Sequence, residues 1–169
     1  VTNASILKLT KEIDWVKDTM ALAKEGALRT GEYNFFDKVF ENQMNKTVAS
    51  TDKHYAGMLF REAIQCCWFG LQNTRDEYRN AVANGSSHDM NQKMHKDLFY
   101  RFVEVQALLI TPIAPHFAEY LWKEMLGNST SVQNATFPQA GPVNLQLEMS
   151  SAFLVDCLHH LRQNIQKGM

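Results

Sequence analysis

Apolar residues are densest between residues 98 and 126, and this stretch dominates the predicted fold. Leu98, Phe102 and Val105 recur at helical spacing, and further apolar side chains beside them leave little polar face. A helix that is apolar nearly all round is typical of the centre of a helical bundle. The stretch is too short for a membrane span and has charged side chains near its middle, Arg101 among them.

Two prolines interrupt this stretch. Pro112 lacks an N–H and disfavours the α conformation at Thr111, so the long helix is expected to end there. Pro115 suits the first turn of a new helix over residues 116–126, which Gly127 then ends. The pattern therefore predicts two helices that meet at a rigid Pro-x-x-Pro corner.

Three amphipathic patterns precede this central helix. The first, over residues 5–24, has an apolar residue at every third or fourth position. The second begins near Asn34, a favourable N-cap, and fades between residues 49 and 53. The third, over residues 55–82, has a stripe of small residues that lets neighbouring helices approach closely. That stripe comprises Leu59, Ala63, Cys66, Gly70 and Thr74.

Polar segments separate the remaining elements. The run at residues 84–87 ends the third helix, and Asp89 can cap the long helix, which begins near Met90. Residues 128–143 read as a loop with an extended piece at residues 135–137.

The last part of the chain predicts a short strand-like segment and a helix. Apolar residues alternate with polar ones at residues 145–149, which favours an extended segment. Ser150 or Ser151 then caps the last helix. Its apolar face comprises Phe153, Leu154, Cys157, Leu158, Leu161 and Ile165.

These patterns predict an all-α fold. About six helices with short connections favour an antiparallel up-and-down bundle, and 169 residues suffice for one domain spanning residues 1–169. Hydrophobic residues make up 45% of the chain, which is enough for a substantial core.

Composition narrows the chemistry. The net charge is −1, so any contact with nucleic acid must use a local basic patch. Cys66, Cys67 and Cys157 all lie on helical stripes and read as free thiols of a reducing compartment. No basic-then-apolar leader stands at the N-terminus, so we expect a cytoplasmic protein with no membrane segment. No metal-ligand spacing, phosphate loop or nucleophile elbow is present, so we expect no metal, no cofactor and no catalysis from these residues alone.

A family resemblance emerges at the proline corner. Residues 108–116, followed by Glu119 and Trp122, resemble the signature LL-x-P-x-x-P-H-x-x-E-x-x-W. That signature belongs to the helical anticodon-binding domain of class I leucyl, isoleucyl, valyl and methionyl-tRNA synthetases. Further short sequence motifs follow in the order and spacing of the cytosolic, eukaryotic and archaeal type of leucyl-tRNA synthetase. They are Asp37-Lys38-Val39-Phe40, Met58-Leu59-Phe60-Arg61-Glu62-Ala63, Arg101-Phe102-Val103-Glu104-Val105-Gln106, Ala135-Thr136-Phe137-Pro138 and Ala140-Gly141-Pro142-Val143.

The resemblance implies a supporting role in a larger enzyme. Such enzymes attach leucine to tRNA(Leu) with ATP and Mg²⁺, through His-x-Gly-His and Lys-Met-Ser-Lys-Ser signatures that this sequence lacks. The domain itself would then hold no cofactor and activate no amino acid. The resemblance implies contact with the tRNA body near the inner corner of its L shape, without reading bases. Its partners would be tRNA(Leu) and the catalytic domain of the same polypeptide, with no DNA involved.

Six basic residues are candidates for contacts with tRNA phosphates, which position RNA without reading its sequence. Lys93 and Lys96 are expected to share a helical face, with Arg101 about a turn further on. The other three are Lys38 and Lys46, on one side of the second helix, and Arg61, which lies in one of the motifs that match the family. The alternative is a solvated surface with local ion pairs, such as Lys96 with Asp97.

The corner residues have two interpretations. In the structural one, which we favour, Pro112 and Pro115 fix the turn and His116 bonds a backbone carbonyl. In the functional one, His116 faces RNA or the catalytic domain. Trp122 is expected in the core or a domain interface rather than as a platform for base stacking, because only Lys123 is basic beside it.

Two alternatives stay open. The same bundle could belong to an isoleucyl, valyl or methionyl enzyme, although the order of the sequence motifs before and after the proline corner argues against this. It could instead be an independent interaction module or a secreted cytokine-like bundle. A secreted bundle should have a leader and disulfides, and an interaction module should have an exposed apolar groove.

Overall fold

The computed structural model describes residues 2–83 and 93–167, and these are predominantly helical. The helices are α1 (Thr2–Lys24), α2 (Phe35–Ala56), α3 (Phe60–Ile64), α4 (Leu71–Ala83), α5 (Lys96–Ile110), α6 (Pro115–Tyr120) and α7 (Leu145–Lys167). π-Helical turns at Gln65–Gly70 and Leu121–Met125 join α3 to α4 and extend α6. Since α3 and α4 form one continuous helix, the predicted all-α bundle of six helices is confirmed. The break predicted at residues 84–87 and the cap predicted at Asp89 lie outside the described residues. The long helix α5 begins at Lys96 with His95 as its N-cap, so its predicted start near Met90 is wrong.

Helix α5 lies at the centre of the bundle, as its pattern predicts. Phe99 and Phe102 are fully buried, and the indole of Trp15 on α1 meets both rings edge-on at centroid distances of 5.7 Å. Phe40 on α2 stacks against Tyr78 on α4, with 4.4 Å between the ring centroids. Aromatic side chains from three helices therefore pack around α5.

The start of α2 is as predicted, but its end is not. Asn34 caps the helix by accepting a hydrogen bond from the amide of Asp37, whose carboxylate accepts one from the amide of Asn34 in return. The helix continues to Ala56, so the prediction that the third helix starts at residue 55 is wrong. The chain turns at Met58, whose φ of +56° lies in the left-handed region, before α3 begins.

The π-helical turn changes which side chains of the third helix face the core. Ala63, Cys67 and Leu71 are buried, whereas Cys66 is half-buried and Leu59 is exposed. The predicted stripe of small residues assumed 3.6 residues per turn, and a π turn contains more, so the buried face moves by one residue. Of the predicted stripe, only Ala63 is therefore fully buried. Burial raises the pKa of the Cys67 thiol to about 11, so it stays protonated at neutral pH.

The proline corner differs from its prediction at one residue. Thr111 has the α conformation despite the proline that follows it. Its hydroxyl donates to the carbonyl of Ala107 at 2.7 Å, and the amide of Ala114 donates to Ile110 at 2.9 Å, so the chain makes one more turn after α5. Pro115 then opens α6 as predicted. Beyond the π-helical turn, Gly127 ends this helical segment with a φ of +74°.

The predictions for the last segments are wrong in two places. Residues 145–149 are the first turns of α7 and not an extended segment, because Asn144 caps the helix by accepting from the amide of Leu147. Ser150 and Ser151 therefore lie inside α7. The extended piece predicted at residues 135–137 follows a short 3₁₀ turn, and the backbone of Ala135 is extended.

A charged group is buried where the pattern suggested only apolar packing. Glu12 on α1 accepts hydrogen bonds from the guanidinium of Arg75 on α4 at 2.6 Å and from the amide of Gln106 on α5 at 3.0 Å. The guanidinium also lies 4.2 Å from the ring centre of Trp15. This network joins α1, α4 and α5.

Replacing Arg75 with methionine should leave the Glu12 carboxylate buried without its counter-charge. We expect the free energy of unfolding to fall by about 3–5 kcal/mol, measured by urea denaturation. The double variant E12Q/R75M should recover most of this loss because a neutral amide is cheaper to bury. Lys123→Met is the control, because the exposed Lys123 pairs with Glu119 at the surface, and its loss should cost less than about 1 kcal/mol. An Arg75→Met cost as small as the control would show that the pair contributes little.

Candidate nucleic-acid interface

One end of the bundle brings together the loop after α1 and the start of α5. The amide of Arg29 donates to the carbonyl of Met94 at 3.0 Å, and the amide of Lys96 donates to the carbonyl of Arg29 at 2.8 Å. These bonds form a short parallel bridge between Arg29 and His95. The loop and the first turn of α5 are therefore fixed relative to each other.

A fully buried carboxylate, that of Asp37 on α2, holds this end together. It forms an ion pair with the guanidinium of Arg29 and accepts hydrogen bonds from the amide of Asn34 at 2.7 Å and the hydroxyl of Tyr78 at 2.5 Å. Burial and the bond to Asp37 raise the pKa of the Tyr78 hydroxyl, so it keeps the proton that it donates. The same hydroxyl oxygen accepts from the amide of His95 at 2.9 Å.

The buried ring of His95 completes the arrangement. Nδ1 accepts from the amide of Asp97 at 3.2 Å and so caps α5, while Nε2 lies 3.0 Å from the carbonyl oxygen of Gly31. Both bonds form when the single ring proton is on Nε2. Arg29, Asp37, Tyr78 and His95 together are called the Asp37 clamp below. It joins the α1–α2 loop, α2, α4 and α5.

Three of the six candidate cations are attached to this clamp. Lys38 directly follows Asp37 and is exposed, Lys93 is exposed next to Met94, and Lys96 is half-exposed at the first position of α5. None of the three ammonium groups forms an ion pair within the described part of the chain. The prediction that Lys93 and Lys96 share a helical face is wrong, because Lys93 precedes the helix.

Two other candidates are neutralised by neighbouring helices. Arg101 donates to the carboxylate of Glu41 at 2.7 Å and to the side-chain oxygen of Asn45 at 2.5 Å, which ties α5 to α2. Lys46 pairs with Glu148, which ties α2 to α7. Their charges are therefore balanced within the fold.

Arg61 lies at the opposite end of the bundle. It follows the turn between α2 and α3 and is exposed beside Phe60. The structure thus does not bring it together with Lys38, Lys93 and Lys96. A role in RNA binding stays a prediction for all six candidates.

The corner residues are arranged only partly as expected. His116 is exposed and bonds no carbonyl among the described residues, so the favoured structural interpretation fails for this side chain. Pro115 occupies the first turn of α6, and Pro112 is exposed in the turn before it. Trp122 is buried in the core, as predicted, and its Nε1 has no partner within the described regions. It therefore offers no free face for stacking.

Sequence reasoning missed most of the clamp. The Asn34-x-x-Asp37 spacing of a capping box was readable along the chain. The contacts of Asp37 with Arg29 and Tyr78 were not, because they join residues 8 and 41 positions apart.

The described residues contain neither a candidate metal cluster nor a candidate membrane-spanning helix. No three or more His, Cys, Asp or Glu side chains in residues 2–83 and 93–167 are grouped so that they could hold a metal ion. No helix in those ranges is long and apolar enough to cross a bilayer.

Comparison with known proteins identifies the fold. The family described as the anticodon-binding domain of tRNA ligase matches residues 37–168. The chain is 39% identical over 99% of its length to a cytoplasmic leucine–tRNA ligase of Arabidopsis thaliana, and 41% identical over 98% to that of Saccharomyces cerevisiae. A leucine–tRNA ligase of the archaeon Aeropyrum pernix is 28% identical over 90% of the chain. The chain spans only 14–15% of the length of these three relatives.

Tyr78→Phe tests the clamp, because it removes the hydroxyl that joins Asp37 to the amide of His95. Both buried groups then lose a partner, so the free energy of unfolding should fall by about 1–3 kcal/mol in urea denaturation. Tyr100→Phe is the matched control, since the Tyr100 hydroxyl has no hydrogen-bond partner among the described residues. The control should change stability by less than about 0.5 kcal/mol. Equal effects of the two substitutions would exclude a special role for the Tyr78 hydroxyl.

Proposed function

The chain belongs to the anticodon-binding domain family of tRNA ligases, and on that premise we propose that it is the tRNA-supporting helical domain of a leucine–tRNA ligase. Its similarity to leucine–tRNA ligases along nearly its whole length supports this proposal. The names of those relatives also support a cytoplasmic location. The longer polypeptide would attach leucine to tRNA(Leu) using ATP and Mg²⁺, which we assign to its catalytic domain.

The Asp37 clamp supports a specific role for this domain in that reaction. Lys38, Lys93 and Lys96 form no ion pair within residues 2–83 and 93–167, and they lie on backbone that the clamp holds in place. Ammonium groups on fixed backbone can meet phosphates with little loss of backbone freedom on binding. This observation carries the proposal that the clamped end of the bundle contacts the tRNA backbone.

Contacts of this kind would position the tRNA and would not select it by sequence. The net charge of −1 fits such a role, because a local patch can bind phosphate where the whole chain would not attract RNA. Correct placement of a substrate lowers the entropy cost of the chemical step, even when the residues that place it are remote from the reacting atoms. The domain would therefore influence tRNA binding more than leucine activation.

A salt titration tests the proposed surface. In the longer polypeptide, K93Q/K96Q should make the plot of log affinity for tRNA(Leu) against log salt shallower by about two units, one for each lost phosphate contact. The variant should therefore lose about tenfold more affinity at 50 mM than at 200 mM salt, relative to the parent. The double variant K53Q/R61Q removes two exposed cations from the opposite end and should leave the slope unchanged. If only K53Q/R61Q changes the slope, the RNA lies at the other end of the bundle.

A charging assay tests the amino-acid assignment. The longer polypeptide should aminoacylate tRNA(Leu) transcript with leucine in an ATP- and Mg²⁺-dependent reaction. Isoleucine, valine and methionine with their own tRNAs are the controls, and each should give rates at background. Charging of one of these instead would assign the domain to that enzyme of the subgroup. The K93Q/K96Q variant should raise KM for tRNA with little change in leucine activation without tRNA.

A further inference from the structure

The first half of helix α7 packs on the bundle, whereas the apolar side chains described in its second half are largely exposed. Near its start, Asn144 exchanges hydrogen bonds with Asn42 at 2.6 and 3.1 Å, and Glu148 pairs with Lys46. Leu147 is half-buried on the same side. The first turns of α7 are therefore fixed to α2.

The apolar face that begins at Leu147 continues beyond these contacts. Leu154, Leu158, Leu161 and Ile165 follow at intervals of four, three and four residues, which places them on one face of the helix. Their exposed fractions are 41%, 51%, 58% and 61%. These four residues are called the α7 seam below.

The surface beside the α7 seam is apolar as well. Phe35, at the start of α2, forms a groove with Met149 and Phe153 of α7, and all three side chains are more than a third exposed. Single exposed apolar residues are common on proteins, but a contiguous patch of this kind marks a docking site. Its shape, a groove that leads onto a 4-3-4 stripe, suits an amphipathic helix.

We propose that the α7 seam takes a helix from the part of the same polypeptide that lies outside these 169 residues. The inference rests on the proposed function, which makes the chain one domain of a longer synthetase. The relatives support this occupant, since the chain spans only 14–15% of their length. The seam also continues the face of α7 on which Leu147 is half-buried, between the contacts that Asn144 and Glu148 make with α2, so the same packing can extend onto a further element.

The length of the seam favours this occupant over a second copy of the chain. It spans residues 154–165, which is about 17 Å of helix at 1.5 Å per residue. Stable pairing of separate chains needs about 800 Å² of buried surface on each partner, or three to four heptads in a coiled coil, and the seam is shorter. A segment of the same polypeptide needs less contact, because its effective concentration is in the millimolar range.

Cys157 provides a native probe, because it lies one turn from Leu154 and Leu161 and is half-buried in this structure. In the longer polypeptide, its labelling by a maleimide can be followed by peptide mass spectrometry, in native buffer and in urea. We expect native labelling to be at least about tenfold slower than in urea, whereas a bare seam would give rates within a few-fold. L158Q/L161Q should restore fast native labelling. Leucine and glutamine have similar helix propensities, so α7 should stay helical in that variant, which circular dichroism would verify.

Val155→Gln is the matched control, since Val155 lies on α7, is 64% exposed and points about 100° away from the α7 seam. It should leave the protection of Cys157 unchanged. Native labelling as fast as in urea would overturn the proposal, as would equal effects of V155Q and L158Q/L161Q. Protection that disappears on dilution, with a dimer seen by sedimentation, would assign the seam to a second copy. Charging and salt titration use other residues, so the proposed function can fail while Cys157 remains protected.

Discussion

The buried carboxylate of Asp37 is the constraint on which this end of the molecule depends. A charge without water must be paired and hydrogen-bonded, and Asp37 meets this requirement with groups from the α1–α2 loop and α4. Tyr78 passes the connection on to the backbone of His95, and so to the start of α5. Because these groups are buried away from water, removing one member of the clamp leaves another buried polar group without its hydrogen-bond partner. The backbone that supports Lys38 and Lys96 is thereby held in one position.

The fold uses a second buried charge in the same way. Glu12 and Arg75 bind α1 to α4, and Gln106 extends the connection to α5. Apolar packing alone would allow a smooth helix to rotate or slide against its neighbours, whereas a carboxylate and a guanidinium must meet in one geometry. The two networks together specify how α1, its following loop and α2 are placed around the central helix. The aromatic rings around Phe102 then fill the space between them.

The proposed phosphate surface and the α7 seam lie near each other. Phe35 lines the groove beside the seam, and Lys38 stands one turn further along α2. A contact with tRNA and a contact with another part of the polypeptide would therefore share one helix. The ion pairs of Lys46 and Arg101 hold α7 and α5 against that helix, so these two cations have a structural task, while their contact with RNA stays a prediction.

The sequence alone determined those features of the fold that depend only on residues close together along the chain. The burial of α5, the cap at Asn34 and the helix ends at Pro115 and Gly127 all follow from periodicity, hydrogen-bonding capacity or φ preference within one turn of chain. Tertiary structure decided the rest.

The face that the third helix buries depended on the π-helical turn at Gln65–Gly70, and the start of α7 depended on Asn144 meeting Asn42. Which cations remain unpaired likewise depended on carboxylates such as Glu41, 60 residues from its partner Arg101. The sequence specifies each charge and each apolar face, but whether a charge is neutralised or a face is covered depends on groups that only the folded chain brings together.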